Sequence, residues 1–227
     1  MDIGMRCDFH MHSLLSDGEL LPTELARRAA HLGHGAIAIT DHVDSSNLDF
    51  VVRGLVEAAR DVNAEWDLVF LVGVEITHVP LGAMPRLARR AKLLGANLVV
   101  VHGETPVEPV LEGTNRAALE SEHVDILAHP GLLKRADAKL AAETGKYVEI
   151  TARPGHNRTN GHVAKVCLEE GAEMLVNTDL HSPSDFISQS DALLIALGAG
   201  LSKDVSIRTI RDNPRRILAD AEIHSRR

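Results

Sequence analysis

An α/β fold built on a parallel sheet, closed into a barrel, is predicted by three features of the 227-residue sequence. Seven short, almost continuous apolar runs alternate with helical segments, the pattern of strands covered on both faces. The chain is aliphatic, with 44% hydrophobic but only 3% aromatic residues, so Val, Ile, Leu and Ala must build its core. Titratable residues fall at the C-terminal ends of the apolar runs. In a barrel those ends converge on one mouth, whereas an open sheet spreads them along an edge. At this length one domain over residues 1–227 is expected, a barrel followed by a C-terminal helical segment.

The first strand runs into Asp8-Phe9-His10-Met11-His12. Residues two apart on an extended chain share a side, so His10 and His12 present their imidazoles together while Phe9 and Met11 face the other way. Asp17-Gly18 then opens a turn that can return a carboxylate to the same spot. A helix over 21–33 follows, with Pro22 near its start and Gly33 at its end. The second strand, 36–40, ends at Asp41-His42, and a helix covers 50–65. The third, 68–74, ends at Glu75 and precedes a helix over 85–94. The fourth, 98–101, ends at His102, with a helix over 116–122. The fifth, 124–128, ends at His129, where Pro130-Gly131 break the chain before a helix over 134–143. The sixth, 147–150, supplies no obvious ligand and enters the polar run 151–158; a helix over 160–170 follows. The seventh, 174–177, leads into Thr178-Asp179-Leu180-His181, and 184–197 and 204–220 read as helical.

A formal charge of −8 argues against an extended nucleic-acid or anionic-membrane surface, though not against a small phosphorylated substrate. Cys7 and Cys167 are too few for a disulfide framework; both are expected to be buried, and the reducing cytoplasm is the expected compartment. No segment has a signal peptide's apolar run or the roughly 18–20 apolar residues of a membrane span.

A single histidine at a strand end is ordinarily a loop or core residue, and a single carboxylate there is often a helix cap. Recurrence on six of seven strands points instead to a shared metal site. Imidazole suits zinc, iron, copper and nickel, while carboxylates extend the choice to manganese and magnesium. Nine candidate ligands exceed what one ion can use, so two or three ions are expected.

His10-Met11-His12 with Ser16-Asp17-Gly18, Thr40-Asp41-His42, Gly73-Val74-Glu75, His102, Ala128-His129-Pro130 and Asp179-Leu180-His181 together resemble the polymerase and histidinol phosphatase (PHP) superfamily, over residues 8 to about 183. The resemblance implies a distorted seven-stranded (β/α) barrel that holds up to three divalent ions, typically manganese, iron or zinc, and hydrolyses phosphoester bonds. It assigns one ion to His10, His12, Glu75 and Asp179 and a second to Glu75, His102 and His129. Asp17, His42 and His181 would hold the third.

The chemistry of such a cluster agrees. Ions roughly 3.5–4 Å apart can clamp the attacking and leaving oxygens of a phosphoryl transfer, and a metal-bound water held between them becomes the nucleophile as its pKa falls toward neutrality. No Ser or Cys nucleophile is required. Three carboxylate ligands against three divalent ions would leave the mouth cationic. Arg153 and Arg158 follow the sixth strand, and their planar forks suit phosphate oxygens. His156 between them is either a proton donor to the leaving group or a polar loop residue. Asp41 is expected to support the site without ligating, and His31, His34, His78, His123, His162 and His224 to be solvated or core residues.

The leading expectation is a histidinol-phosphatase-like hydrolase acting on a small phosphate monoester. The alternatives are a nuclease acting on nucleic-acid ends, against which the acidic charge and scarce aromatics count, and a non-catalytic metal-binding module, against which the complete ligand set counts. Amidohydrolase barrels share the His pair and the late Asp but usually use a bridging carboxylated lysine, and Lys134, Lys139 and Lys146 do not lie at the required strand ends.

Overall fold

The computed structural model describes residues 2–225, with side chains up to Ala221; the expectation for His224 lies outside them. In chain order the barrel elements are β1 (Arg6–Asp8), α1 (Pro22–His31), β2 (His34–Ile39), β3 (His42–Val43), α2 (Leu48–Glu65), β4 (Val69–Ile76), α3 (Met84–Leu94), β5 (Leu98–His102), α4 (Thr114–Glu120), β6 (Ile126–Ala128), α5 (Arg135–Thr144), β7 (Tyr147–Thr151), α6 (Asn160–Glu170) and β8 (Met174–Asn177). Seven strands pair in parallel in the order β1-β2-β4-β5-β6-β7-β8. The two-residue β3 adds to β4, setting His42 opposite Glu75.

The helices follow local chemistry. Pro22 and Pro85 sit in first turns, where a missing N–H costs nothing, and α3 stops at Gly95, whose φ of 109° a side chain would resist. Buried apolar residues of α1, α2 and α3 pack on the outer face of the sheet with Ile37, Ile39, Phe70 and Val72.

Alternate strand residues point inward. Cys7, Ala36, Ala38, Leu71, Leu98, Val100, Ile126, Ala128 and Leu175 form a separate apolar cluster inside the barrel. After β8 come α7 (Gln189–Gly198), α8 (Lys203–Ile207), a wide π turn (Arg208–Asp212) and α9 (Asn213–Ser225), so the helix expected over 204–220 is interrupted. Ile217 of α9 joins the interior cluster and plugs the N-terminal end of the barrel.

Between β1 and β8 the barrel closes mainly through side chains. The backbone contribution is one parallel bridge, Met11 to Leu180. Arg6 Nη1 donates to the Val176 carbonyl at 2.9 Å and Arg6 Nη2 to Asp8 Oδ2 at 2.7 Å. Asp8 Oδ1 accepts from the backbone N–H groups of His10 and Thr178, and Asn177 Oδ1 accepts from that of Phe9. Because the chain leaves the sheet after Asp8 and returns only at Met11, Phe9 and Met11 do not share a face as expected. Phe9 enters the barrel interior and Met11 the layer beneath the helices.

Candidate metal centre

The mouth is assembled from loops that the sequence pins locally. After His12 the chain turns back on itself, and Asp41 holds the turn by accepting from the Ser13 N–H and hydroxyl, each at 2.7 Å, and from the Ser16 hydroxyl. Asp41 therefore supports the loop bearing Asp17, as expected. Gly18 is required there, because a Cβ would collide with the His12 carbonyl. On the opposite side Asp185 Oδ2 accepts from the backbone N–H groups of His181 and Ser182 at 2.9 and 2.8 Å, fixing the segment that carries His181. His129 and Asp179 adopt φ of 25° and 54°, left-handed conformations that non-glycine residues avoid unless the surroundings impose them.

All nine sequence-predicted ligands meet at this mouth. His10, His12 and Glu75 are fully buried, and His102, His129 and Asp179 nearly so. His10 Nε2 lies 3.3 Å from Glu75 Oε1 and 3.6 Å from Asp179 Oδ1; His12 Nε2 lies 3.1 Å from the same Asp179 oxygen and 3.6 Å from Glu75 Oε2. His129 Nε2 is 3.5 Å from Glu75 Oε1, and potential ligand atoms of Glu75, His102 and His129 fall within 4.8 Å of one another. Asp17 Oδ2 is 3.3 Å from His181 Nε2 and 3.6 Å from His42 Nε2, with His12 in the same group. Ligand atoms 2.0–2.1 Å from a tetrahedral ion stand about 3.3–3.4 Å apart. The spacing fits.

Hydrogen bonding makes the stronger case. His10 Nε2, both His12 nitrogens, both Glu75 oxygens and both His129 nitrogens are buried without a hydrogen-bond partner. Each such atom costs about 1–3 kcal/mol if left unsatisfied, more if charged, so seven in one pocket form a donor set suited to divalent cations. Tautomers are set from outside. His42 Nδ1 pairs with the Thr77 hydroxyl at 2.7 Å and also lies 2.8 Å from Glu75 Oε2, and His181 Nδ1 pairs with the Asp179 carbonyl at 2.8 Å, which turns both Nε2 atoms toward Asp17.

The charges are interdependent. Burial alone would raise Glu75, yet the imidazoles of His10, His42 and His102 hold it well below the usual carboxylate range. Burial likewise opposes the charged form of His10, and Glu149, Glu75 and Asp179 overcome it and raise its pKa. His12, desolvated and facing His42, is pushed down to about 3. Burial pushes the thiols of Cys7 and Cys167 up to about 11 and 12; both are buried, as expected.

The other candidates separate. Arg153 reaches the cluster, with Nη1 donating to the Asp179 carbonyl at 3.2 Å and Nε 3.7 Å from Asp179 Oδ2. Arg158 is exposed. His156 is buried 4.4 Å from the His129 ring, with its pKa lowered to about 4 by burial and then by His129.

Two residues were not anticipated. Strand β7, read as contributing no ligand, places Glu149 inside the barrel, where Oε2 meets His10 Nδ1 at 2.7 Å and accepts from Asn177 Nδ2 at 3.1 Å. Glu149 orients His10 so that Nε2 faces the cluster. Its signal was the lone charge in Tyr147-Val148-Glu149-Ile150. Glu108, from the β5–α4 loop, lies 3.2 Å from His102 Nε2 and 3.3 Å from His156 Nε2, and no periodicity marked it.

The chain matches the family model of the PHP domain over residues 8–177. A protein of uncharacterized function from Methanocaldococcus jannaschii is 49% identical over 94% of this chain and 99% of its own length. Ribonuclease P protein component 3 of Methanosarcina mazei is 28% identical over 93% of this chain and 87% of its own. A 5'-3' exoribonuclease of Haemophilus influenzae is 28% identical over 76% of this chain and 60% of its own. A solved structure of archaeal ribonuclease P with mature tRNA contains a chain of the same fold, with a TM-score of 0.73 at 16% identity, matching 98% of this chain and 94% of that one. These likenesses overturn the expectation of a small phosphorylated partner with extended nucleic-acid binding disfavoured. That expectation rested on scarce aromatics and on net charge, a whole-chain sum that says nothing of how charge is distributed. Among the described residues no helix is long and apolar enough to cross a membrane.

Proposed function

The chain belongs to the PHP domain family of metal-dependent hydrolases, and from that premise we propose that it hydrolyses phosphodiester bonds at the ends of nucleic-acid chains. The carrying observation is the buried donor set at the mouth, whose unpartnered nitrogens and carboxylate oxygens stand at cation-ligand spacing. In this reading His10, His12, Glu75 and Asp179 hold one ion, Glu75, His102 and His129 a second, and Asp17, His42 and His181 a third. Bound divalent ions supply Lewis-acid polarisation of the phosphoryl group and lower the pKa of water toward neutrality.

The protein's own groups do the rest. Glu149 and Thr77 fix ring orientation at His10 and His42. Arg153, beside Asp179 and tied to Asp185, offers its fork to the phosphoryl oxygens. Arg158 meets a phosphate farther along the chain, while His156, whose pKa burial lowers to about 4 and whose Nε2 faces Glu108, positions that carboxylate instead of donating a proton to the leaving oxygen. Relatives named as a ribonuclease P component and an exoribonuclease favour a polynucleotide over a small monoester.

The test is a panel of end-labelled RNA and DNA oligonucleotides beside p-nitrophenyl phosphate, with protein stripped of metal and reconstituted separately with manganese, iron or zinc. Metal-dependent release of nucleotides from one end is expected. Intact oligonucleotides with rapid monoester turnover would make the protein a phosphatase instead, and no hydrolysis of either by metal-loaded protein would make it a binding module.

A further inference from the structure

We propose that the rim of the mouth carries an additional divalent-cation site, formed by His78, His102 and Glu108, beside the nine-residue cluster. Glu108 Oε2 lies 3.2 Å from His78 Nε2 and 3.2 Å from His102 Nε2. One ligand atom from each of the three residues falls within a 4.8 Å group. Those spacings match the about 3.3–3.4 Å edge of a tetrahedral ion's ligand shell. Two imidazoles and one carboxylate suit zinc, manganese or iron and leave positions open for water or a substrate oxygen.

Neither contributing segment is free to wander. Glu104 staples the ends of the β5–α4 loop, its Oε1 accepting from the N–H groups of Gly113 and Asn115 while its own N–H donates to Asn115 Oδ1. Asn115 Nδ2 in turn donates to the Pro130 carbonyl at 2.9 Å. The second Glu108 oxygen faces His156 Nε2 at 3.3 Å, which aims the carboxylate. His78 holds φ at 50°; among the described residues the other non-glycine positions with positive φ are His129 and Asp179, both in the inner cluster. Backbone strain of this kind persists where surrounding structure enforces it and concentrates at functional positions.

His102 can serve both groups because an imidazole has two nitrogens. Nε2 faces Glu108, and Nδ1 is buried without a hydrogen-bond partner. With His78 39% and Glu108 36% exposed, this ion should be the most readily exchanged.

Metal stoichiometry tests the site without reference to activity. Wild-type protein, His78→Ala and Glu108→Gln are stripped, titrated with Co2+ while its d–d absorption is followed, and counted by equilibrium dialysis, with thermal melting to confirm folding. Both variants should take up one equivalent fewer than wild type, the missing ion being the weakest bound. Equal stoichiometry and affinity in all three proteins would overturn the proposal. So would loss from one variant alone, or loss of more than one equivalent, which would assign these side chains to the inner cluster. Glu108→Gln keeps the shape of the side chain, so the comparison stands if His78→Ala folds poorly.

Discussion

Two groups of buried charge lie a few residues apart on the first strand and its extension, and they are finished differently. At the β1–β8 seam Asp8 is enclosed by the Arg6 guanidinium and the N–H groups of His10 and Thr178. At the mouth His10, His12 and Glu75 are equally buried and their inward-facing atoms have no hydrogen-bond partner. The seam spends its polar groups on itself apart from Arg6 Nε, replacing a backbone ladder that β1 and β8 lack, whereas the mouth leaves at least seven converging atoms without a hydrogen-bond partner. Between these two places, satisfied charge marks architecture, and convergent buried charge of both kinds without partners marks a ligand.

The largest effect that sharpens this contrast is Glu75→Ala. Glu75 meets four imidazoles of the mouth, those of His10, His12, His42 and His129, so its loss should cut metal-dependent hydrolysis by more than the about 100-fold upper range for a residue that merely supports a ligand. The stripped protein should lose some stability in thermal melting, because Glu75 also sits between imidazoles that repel one another without it, His42 among them at 2.8 Å, but less than Asp8→Ala loses. Asp8→Ala should do the reverse. It strands a buried guanidinium and costs about 3–5 kcal/mol of stability in denaturant titrations, while the folded fraction retains its metal equivalents.

His34 is the control for an unpartnered group standing alone. It is 4% exposed with neither ring nitrogen hydrogen-bonded, and burial pushes its pKa down to about 4. A histidine whose folded pKa is depressed contributes no penalty above its ordinary value near 6.5. As pH falls from there toward 4 the unfolded chain takes the proton first, so stability declines, by up to about 3 kcal/mol. Denaturation midpoints of wild type and His34→Gln against pH should diverge over that window, with no change in metal uptake. Parallel slopes would place the proton elsewhere.

The smallest effect lies between the two regions. Glu149 contacts His10 on one side and Asn177 of the seam on the other. Glu149→Gln keeps the size but weakens the fixing of the His10 tautomer, and should lower metal affinity about 10–100-fold with little loss of stability.

The fold and nine converging residues were legible because a parallel strand is nearly all apolar, so a His, Asp or Glu at its C-terminal end stands out. Glu149 escaped that reading because it sits within a strand, where only the inward alternation of Tyr147, Glu149 and Thr151 betrays it. Glu108 and His78 lie in loops whose geometry depends on contacts distant in sequence, such as Asn115 to the Pro130 carbonyl. The two-residue β3 is too short to leave a pattern. The partner expectation failed for a different reason: a net charge of −8 is a whole-chain sum and does not report how charge is distributed over the surface.

The central claim, that the unpartnered atoms of the mouth are cation ligands, is tested most directly by anomalous diffraction from crystals reconstituted with manganese or zinc. The account predicts anomalous peaks within coordination distance of His10 and His12 Nε2, of the Glu75 and Asp179 carboxylates and of His129 Nε2, with no peak at the β1–β8 seam. Ordered water bridging those same atoms in metal-soaked crystals, with no anomalous peak at the mouth, would contradict it.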